Sequence, residues 1–370
     1  MVMIYCSIFV YYKKIMELLK LEEIYKFTPE VLEYYKILSP EIPEFILEYA
    51  NTKEMLKQQY ICVSCWTNYS KLFNIHWFSS LEHSIGVALI IWNFTKDKKQ
   101  TLSWLFHDIA TPAFKHCIDF MNGDHSRQES TEKLTTKIIK ESEEISALLE
   151  RDNISLEEVC DYHIYPIADN DSPRLSSDRL EYTLSNCVFT YHTSDLETIK
   201  AIYEDIEIQV NEEWEQELGF KHEELAEKFV ALMSEVAVIY IENRTIFSMQ
   251  FLADILKIMQ EHGEISVEEL YSLKEIDIID KIRHSNTTNI RECFEIRENA
   301  TSIHTDDKEP SWVYRIKQET KRRTINPLVK TDNWYVRLTS ISESSKENIN
   351  KVLSYNMNKY TYLDFDLRRI

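Results

Sequence analysis

The chain has 370 residues, 44% of them hydrophobic, so it can bury the core of one large domain or two ordinary ones, and general disorder is excluded. Glycine (4) and proline (8) are scarce, which favours long helices over sheets with tight turns. The formal charge of −20 argues against a protein whose whole surface binds nucleic acid. The seven scattered cysteines are typical of reduced thiols and predict a cytoplasmic protein.

The chain opens with an apolar stretch at residues 4–12. This stretch is shorter than the roughly 20 residues that cross a bilayer, and no small-residue cleavage site follows a basic start, so we expect neither a membrane span nor a signal peptide. A normal amphipathic segment begins at Met16, so residues 1–15 are interpreted either as a misread upstream start or as a loosely attached strand. Residues 1–60 are predicted to form a leading helical segment.

Apolar residues recur at helical spacing through the middle of the chain. The strongly apolar runs 81–94 and 100–109 predict two buried helices. More polar helices are predicted at residues 129–150, 155–161 and 176–191, and from 195 to about 260. Ser155 and Glu158 have the capping-box pattern, and Ser177 is the expected cap of the helix at 176–191.

The pattern changes near residue 264, which we take as a domain boundary. Residues 311–317 and 333–340 alternate apolar with polar side chains, which predicts strands. We therefore expect an all-α fold with a small α+β appendage at its C-terminal end. The predicted regions are 1–60, 61–263 and 264–370.

Four ligand-type side chains interrupt the apolar helices. Burying an imidazole or a carboxylate without a partner is costly, so one shared explanation is needed for His83, His107, Asp108 and Asp178. A metal ion supplies it, because two imidazoles and two carboxylates form a mixed site suited to Fe, Mn, Ni or Zn. Adjacent helical residues point about 100° apart, so His107 and Asp108 reach one ion only where the helix ends, and Pro112 predicts that end.

The order His, then His-Asp, then a distant Asp resembles the HD-domain phosphohydrolases over roughly residues 77–192. The letters EHSIGV at 82–87 and HDIATPAFKH at 107–116 are similar to the branch that includes the sterile-alpha-motif HD-domain dNTP triphosphohydrolase and bacterial dGTPases. The resemblance implies an HD-domain helical bundle, a divalent metal ion (Fe, Mn, Ni, Zn or Mg) and hydrolysis of a phosphate ester or anhydride. By this resemblance a (deoxy)nucleoside triphosphate is the favoured substrate.

Carried over position by position, the resemblance assigns metal binding to His83, His107, Asp108 and Asp178. His116 and His125 resemble the histidines that meet the phosphate or move protons. Their alternative is that each caps a helix or faces solvent. In the implied mechanism, one of these two histidines protonates the leaving oxygen.

Three further residues are predicted to bind substrate. Arg179 and Tyr182 resemble the family's phosphate-contacting base and its nearby tyrosine, and Tyr182 lies four residues after Asp178 on the same helical face. Lys115 or Arg179 would offset phosphate charge. The alternative for Arg179 is an ion pair with Glu181 or another surface acid.

Two positions depart from the family pattern. Ser80 stands where triphosphohydrolases of this branch often carry an arginine, and Thr111 stands where a histidine is expected. Both departures affect contacts to a triphosphate more than they affect hydrolysis.

A basic run within residues 315–330 is the concentrated positive patch of this acidic chain. It forms either a solvated strand and turn or a surface that meets an anionic substrate, an effector nucleotide or a nucleic-acid end.

The expected partner is a nucleotide or another phosphate-bearing small molecule, with no membrane, and a homo-oligomer stays open. The alternative functions are a phosphomonoesterase, a cyclic-nucleotide phosphodiesterase, or a non-catalytic nucleotide-sensing protein. The complete set of four metal ligands argues against the sensor.

Overall fold

A computed structural model describes residues 27–128, 130, 134–167, 170–332 and 334–366. The apolar opening stretch, the start of the leading helical segment and Asn333 of the last predicted strand lie outside the described residues. Within the described part of the chain, no helix combines the length and apolar character needed to cross a bilayer.

Helices make up most of the described chain. Those before the first strand are α1 Pro29–Leu38, α2 Glu44–Ala50, α3 Lys53–Leu56, α4 Ser80–Thr95, α5 Lys98–Leu105, α6 His116–Met121, α7 Thr135–Glu141, α8 Glu143–Asp152, α9 Ser177–Ser185 and α10 Leu196–Glu204. Those after the first hairpin are α11 Glu223–Ile241, α12 Asn243–Glu261, α13 Val267–Ser272, α14 Glu275–Arg283, α15 Thr288–Asn299 and α16 Glu343–Leu353.

Short strands form two small sheets within the residues that the structure describes. Their bounds are β1 Ile206–Val210, β2 Gln216–Phe220, β3 His304–Asp306, β4 Arg315–Ile316, β5 Leu328–Lys330, β6 Tyr335–Arg337 and β7 Tyr360–Tyr362. One sheet has the order β1-β2-β5-β6, with β2 and β5 parallel, and the other has the order β3-β7-β4. The predicted class, a mostly helical fold with small strand-containing elements, is confirmed.

Helix α4 lies at the centre of the core. It begins with a capping box, in which the Ser79 hydroxyl accepts from the Glu82 amide at 3.2 Å and the Glu82 carboxylate accepts from the Ser79 amide at 2.6 Å. The helix is apolar on nearly all faces, so it is buried against α1, α5 and α9. The core that surrounds it is continuous from Phe27 to Phe365.

The predicted helix at 129–150 is wrong as a single element. The structure divides it into α7 and α8 at Ser142, whose extended backbone and side-chain oxygen cap α8 by accepting from the Ile145 amide at 3.3 Å. Serine competes with the helical backbone in this way, which favours a break. The predicted helix at 155–161 is only a short 3-10 turn, Leu156–Glu158.

Helical sequence was predicted from 195 to about 260, and the structure interrupts it with the hairpin β1–β2. Ile206, Ile208 and Val210 alternate with polar residues, which is the period of a strand, although Gln209 is buried and Val210 is exposed in the structure. The Asn211 side chain then accepts from the amides of Glu213 and Glu215, both at 3.0 Å, and so builds the turn.

Strands were predicted at 311–317 and 333–340, and the structure places β4 and β6 inside these ranges. Strand β5 pairs in parallel with β2, so the C-terminal region shares a sheet with the hairpin. The domain boundary near residue 264 stays a prediction.

Candidate metal centre and its cavity

His83 is fixed by a carboxylate that the sequence analysis did not select. Its Nδ1 forms a short hydrogen bond with the fully buried Glu181. Glu181 also accepts from the Tyr34 hydroxyl at 3.1 Å and from the Ser185 hydroxyl at 3.2 Å. Because Nδ1 is used in this way, Nε2 is the ring nitrogen of His83 that faces the cavity.

His107 and Asp108 lie in the turn after α5. The predicted helix at 100–109 ends earlier, at Leu105, so the end that both side chains need precedes Pro112. His107 Nδ1 donates to the Trp104 carbonyl at 2.7 Å, which directs Nε2 toward the cavity. Asp108 accepts from the Thr111 hydroxyl at 3.1 Å.

Asp178 is in the first turn of α9. The cap of this helix is Ser176, whose hydroxyl accepts from the Arg179 amide at 3.2 Å, so the predicted cap Ser177 is one residue late. Oδ1 of Asp178 lies 3.2 Å from His83 Nε2 and 3.8 Å from His107 Nε2. The structure therefore brings Asp178 to the two imidazoles.

The donor atoms fit a metal ion. The Nε2 atoms of His83 and His107 are 3.2 Å apart, and both are lone-pair acceptors when the Nδ1 atoms carry the protons, so a cation between them removes their repulsion. Metal bonds of about 2.1 Å separate adjacent ligands by about 3 Å, which matches this spacing. One donor atom each of His83, His107 and Asp108 lies within 4.8 Å of the others.

The charges of the cluster favour a cation. Burial alone would lower the pKa of His83, but Glu181 and Asp178 outweigh it and raise this pKa to about 10. Burial lowers the pKa of His107, and Asp108 offsets this only in part. The pKa of Asp108 is well below its usual range, because Lys115 and the imidazoles outweigh burial. The carboxylate therefore stays ionised.

The cluster forms the floor of a cavity of about 630 Å³. Its walls carry the aromatic side chains of Trp104, Tyr162, Tyr191 and Tyr240. All three predicted substrate-binding residues, Lys115, Arg179 and Tyr182, also line it.

Lys115 reaches the floor from an unusual turn. Phe114 and Lys115 have positive φ angles of 66° and 45°, which are uncommon for residues other than glycine. The Phe114 amide donates to the buried Glu275 carboxylate at 3.0 Å, and this contact holds the turn. The Lys115 Nζ then lies 2.6 Å from Asp108 Oδ2.

Arg179 also lines the cavity. Its guanidinium donates to the Asn170 side chain at 2.8 Å and to the Arg174 carbonyl at 3.2 Å. These contacts hold the group against the loop that precedes α9 and keep it at the cavity.

The two histidines predicted to move protons lie in different places. His116 lines the cavity, where its Nδ1 donates to the buried Asp119 carboxylate at 2.9 Å and its Nε2 lies 3.2 Å from the Arg323 guanidinium. His125 is not among the lining residues, and its Nδ1 donates to the Glu319 carbonyl at 2.9 Å. The structure therefore brings His116, but not His125, to the floor.

Sequence reasoning missed one contribution. Glu181 was considered only as a surface partner of Arg179, although its position three residues after Asp178 on a helix that buries its neighbours was a usable signal. Residues 320–324 line the cavity, which agrees with the second interpretation of the basic run, a surface that meets an anion.

Comparison with known proteins shows which proteins this chain is similar to. No protein-family model matches the chain. The uncharacterized protein YdhJ of Bacillus subtilis (strain 168) is 25% identical over 283 residues, which are 75% of this chain and 82% of that protein.

Two solved structures are similar. A hypothetical protein from Aquifex aeolicus has a TM-score of 0.59 and 17% identity, with 87% of this chain and 93% of that chain covered. A phosphohydrolase from Bacteroides thetaiotaomicron VPI-5482 has a TM-score of 0.53 and 12% identity, with coverages of 88% and 94%. At these identities the similarity shows a shared fold.

Proposed function

We propose that this protein is a metal-dependent phosphohydrolase of the HD type that cleaves a phosphate ester or anhydride of a nucleotide. The observation that carries the proposal is the pair of imidazole Nε2 atoms, 3.2 Å apart, beside two carboxylates on the floor of a cation-lined cavity. The fold shared with a phosphohydrolase supports it. Resemblance to dNTP triphosphohydrolases favours a (deoxy)nucleoside triphosphate as the substrate.

The residues proposed to hold the ion are His83, His107, Asp108 and Asp178. Their mixed nitrogen and oxygen donors suit Fe, Mn, Ni or Zn, with Mg as a further candidate. The chemistry that a bound divalent ion supplies is activation of water near neutral pH and polarisation of a phosphoryl oxygen. Glu181 and the Trp104 carbonyl orient the two imidazoles for this role.

Lys115, Arg179 and Tyr182 are the proposed substrate-binding residues. The Lys115 ammonium is 2.6 Å from Asp108, so it can also reach a phosphoryl oxygen beside that carboxylate. Arg179 and Tyr182 follow Asp178 by one and four residues on α9, and all three residues line the cavity.

Proton transfer to the leaving oxygen is assigned to His116 rather than His125. His116 lines the cavity and is oriented by Asp119, as a general acid or base requires. Burial lowers the pKa of His116, although Asp119 opposes this, so the ring is neutral and its Nε2 first takes a proton from the attacking water, which it can then pass to the leaving oxygen.

Incubation of the metal-loaded protein with a panel of nucleotides, with products identified by mass, tests the proposal. Release of tripolyphosphate or pyrophosphate supports a triphosphate substrate, whereas release of orthophosphate from nucleoside monophosphates identifies a phosphomonoesterase. Opening of a cyclic nucleotide identifies a phosphodiesterase. If the protein binds metal and nucleotide but forms no product, the proposed enzymatic function is wrong and a nucleotide-sensing function takes its place.

A further inference from the structure

Two tryptophans of the sheet β1-β2-β5-β6 face solvent beside each other. Trp214 lies in the turn between β1 and β2, and Trp334 comes directly before β6. Their ring centroids are 6.2 Å apart, and the rings are nearly perpendicular, at 86°. Trp214 is 79% exposed and Trp334 is 62% exposed. The two rings form an aromatic surface, here called the indole pair, and neither residue is among those that line the metal cavity.

The two turns hold the indole pair outside the core. The Trp214 amide donates to the Asn211 carbonyl at 3.1 Å, and the φ angle of Trp214 is 66°, which is uncommon for so large a side chain. The Thr331 hydroxyl accepts from the Trp334 amide at 3.2 Å and donates to the Trp334 carbonyl at 2.7 Å. Both turns are therefore closed by backbone and threonine contacts that do not need an indole. Exposed aromatic rings that the fold does not use indicate an interaction surface.

The ion pairs beside the indole pair present their negative ends to solvent. Arg174 lies 2.6 Å from Glu213, and Arg337 lies 2.8 Å from Glu212. The two arginine side chains are only 15% and 18% exposed, whereas the two glutamate side chains are 59% and 57% exposed. The positive charges thus lie inside and the carboxylates lie outside.

Further acidic residues extend this negative surface. Glu215, in the same turn as Trp214, is 51% exposed, and Asp332 is exposed in the turn that carries Trp334. The exposed cation Lys330 lies 3.6 Å from Glu207, which offsets its charge. Such a surface repels nucleic acid and anionic lipid, and it repels a second copy that would place the same carboxylates opposite one another across a two-fold axis. Charge complementarity therefore favours a cationic partner.

We propose that the indole pair and its surrounding carboxylates bind a basic segment of another protein, whose arginine side chains stack on the two indoles. The face of an indole attracts a cation, and the planar, weakly hydrated guanidinium stacks on it better than an ammonium does. The exposed carboxylates add charge-assisted hydrogen bonds to the same guanidinium groups. This surface needs neither a metal ion nor a substrate, so it does not depend on the proposed hydrolysis.

The test uses three fluorescent octapeptides with blocked ends, in which glycine alternates with arginine, lysine or glutamate. Their affinities for the full-length protein are measured by fluorescence anisotropy. Wild type should bind the arginine peptide at least about threefold more tightly than the lysine peptide and should not bind the glutamate peptide. A surface that attracts cations by charge alone would bind the arginine and lysine peptides equally.

The double variant Trp214→Ala/Trp334→Ala tests the indole pair directly. Each exposed indole contributes about two- to fivefold to the binding of a cation, so the arginine peptide should bind the double variant about 5- to 25-fold more weakly. The matched control is Trp312→Ala, which removes an indole that is 80% exposed and precedes β4 in the other sheet. This control should bind the arginine peptide like wild type, within about 1.5-fold.

Equal affinity of wild type for the arginine and lysine peptides overturns the proposal, and this measurement needs no variant to fold. Unchanged arginine-peptide binding by a double variant that circular dichroism shows to be folded overturns it as well. A dimer of wild type in sedimentation experiments that the double variant loses would make a second copy the occupant instead. Binding of wild type, but not of the double variant, to phosphatidylcholine vesicles would make a membrane surface the occupant instead.

Discussion

The floor of the cavity is built from helices α4 and α9 and the turn after α5, with buried partners behind its imidazoles, whereas residues 319–326, here called the strap, are an irregular segment whose cations are half-buried. On the floor, His83 is oriented by Glu181 and His107 by the Trp104 carbonyl. Across the cavity, Arg323 is directed by one imidazole and by hydrogen bonds at the two ends of the strap.

This difference separates two kinds of function. Groups that hold an ion must lie within tenths of an ångström of their positions, which requires locked rotamers and second partners. Groups that meet a flexible anion can tolerate more freedom, because charge attraction varies slowly with distance. We therefore expect floor variants to have larger effects than strap-side variants, and the predictions run from the largest effect to the smallest.

Removal of floor donors should have the largest effect. His107→Ala and Asp108→Ala should each lower kcat/KM about 1000-fold or more, because the ion and its activated water are lost together. Metal content of the purified variants, measured beside nucleotide turnover, checks this. The control is His304→Ala, which removes an exposed imidazole on β3 and should retain both the metal content and the turnover of wild type. Full activity with normal metal content in either floor variant would contradict the assignment.

Glu275 beneath the Lys115 turn predicts a pH effect on stability. Burial raises the pKa of Glu275 to about 8 from an unfolded value of 4.5, so its stabilising contribution is present below pH 4.5 and is lost as pH rises through 8. Glu275→Gln does not titrate and should gain several kcal/mol relative to wild type between pH 5 and pH 8.5.

Urea unfolding at several pH values measures this difference. Glu268→Gln, which removes an exposed carboxylate of α13, is the control and should follow the wild-type curve. Parallel curves for wild type and Glu275→Gln would show that the buried carboxyl does not gain a proton on folding.

Glu181→Gln tests the orientation of His83 on the floor. The amide keeps an oxygen acceptor but loses the negative charge beside the imidazole, so metal affinity should fall about 10- to 100-fold. Metal titration with a competing chelator measures the loss. Glu224→Gln, on the exposed side of α11, should bind metal like wild type. An unchanged affinity in Glu181→Gln would mean that the floor does not depend on this buried carboxylate.

Gly86→Ala tests how closely α4 and α9 approach. The added Cβ would lie 2.6 Å from Glu181 Oε1, and this buried carboxylate has three partners and cannot move away freely. Alanine gains about 1 kcal/mol of helix propensity, but overpacking costs about 1–3 kcal/mol, so the free energy of unfolding should fall by about 1 kcal/mol. Ser84→Ala on the same helix should be nearly neutral, because its buried hydroxyl has no partner among the described residues.

His125 on the strap side should have the smallest effect. His125→Ala removes the hydrogen bond to Glu319, and kcat should fall less than about tenfold. His125→Asn keeps a side-chain N–H donor and should restore the wild-type rate. A fall of about 100- to 10,000-fold with a changed pH profile would instead establish His125 as the proton donor predicted from the sequence.

The fold class and the converging donor residues could be predicted because apolar residues recur at a regular spacing in helices. His83, the His107-Asp108 pair and Asp178 each interrupt apolar helical sequence or lie at its end, and this pattern can be read from the amino-acid sequence alone. Strap residues such as Arg323 could not be placed, because hydrogen bonds to distant loops fix their position.

Two other differences between the sequence analysis and the structure have physical reasons. The β1–β2 hairpin was missed because its acidic turn resembles the helical sequence on either side. His125 was grouped with His116 because the two are near in sequence, yet its ring meets the Glu319 carbonyl outside the cavity.

The position of the strap has a consequence for synthesis of the protein. The four donor residues of the floor leave the ribosome well before Arg323 does. A ribosome-bound chain therefore exposes all four donor residues before the strap has been synthesised, but the core that holds these residues in place is continuous to Phe365 and is completed only when the C-terminal region emerges.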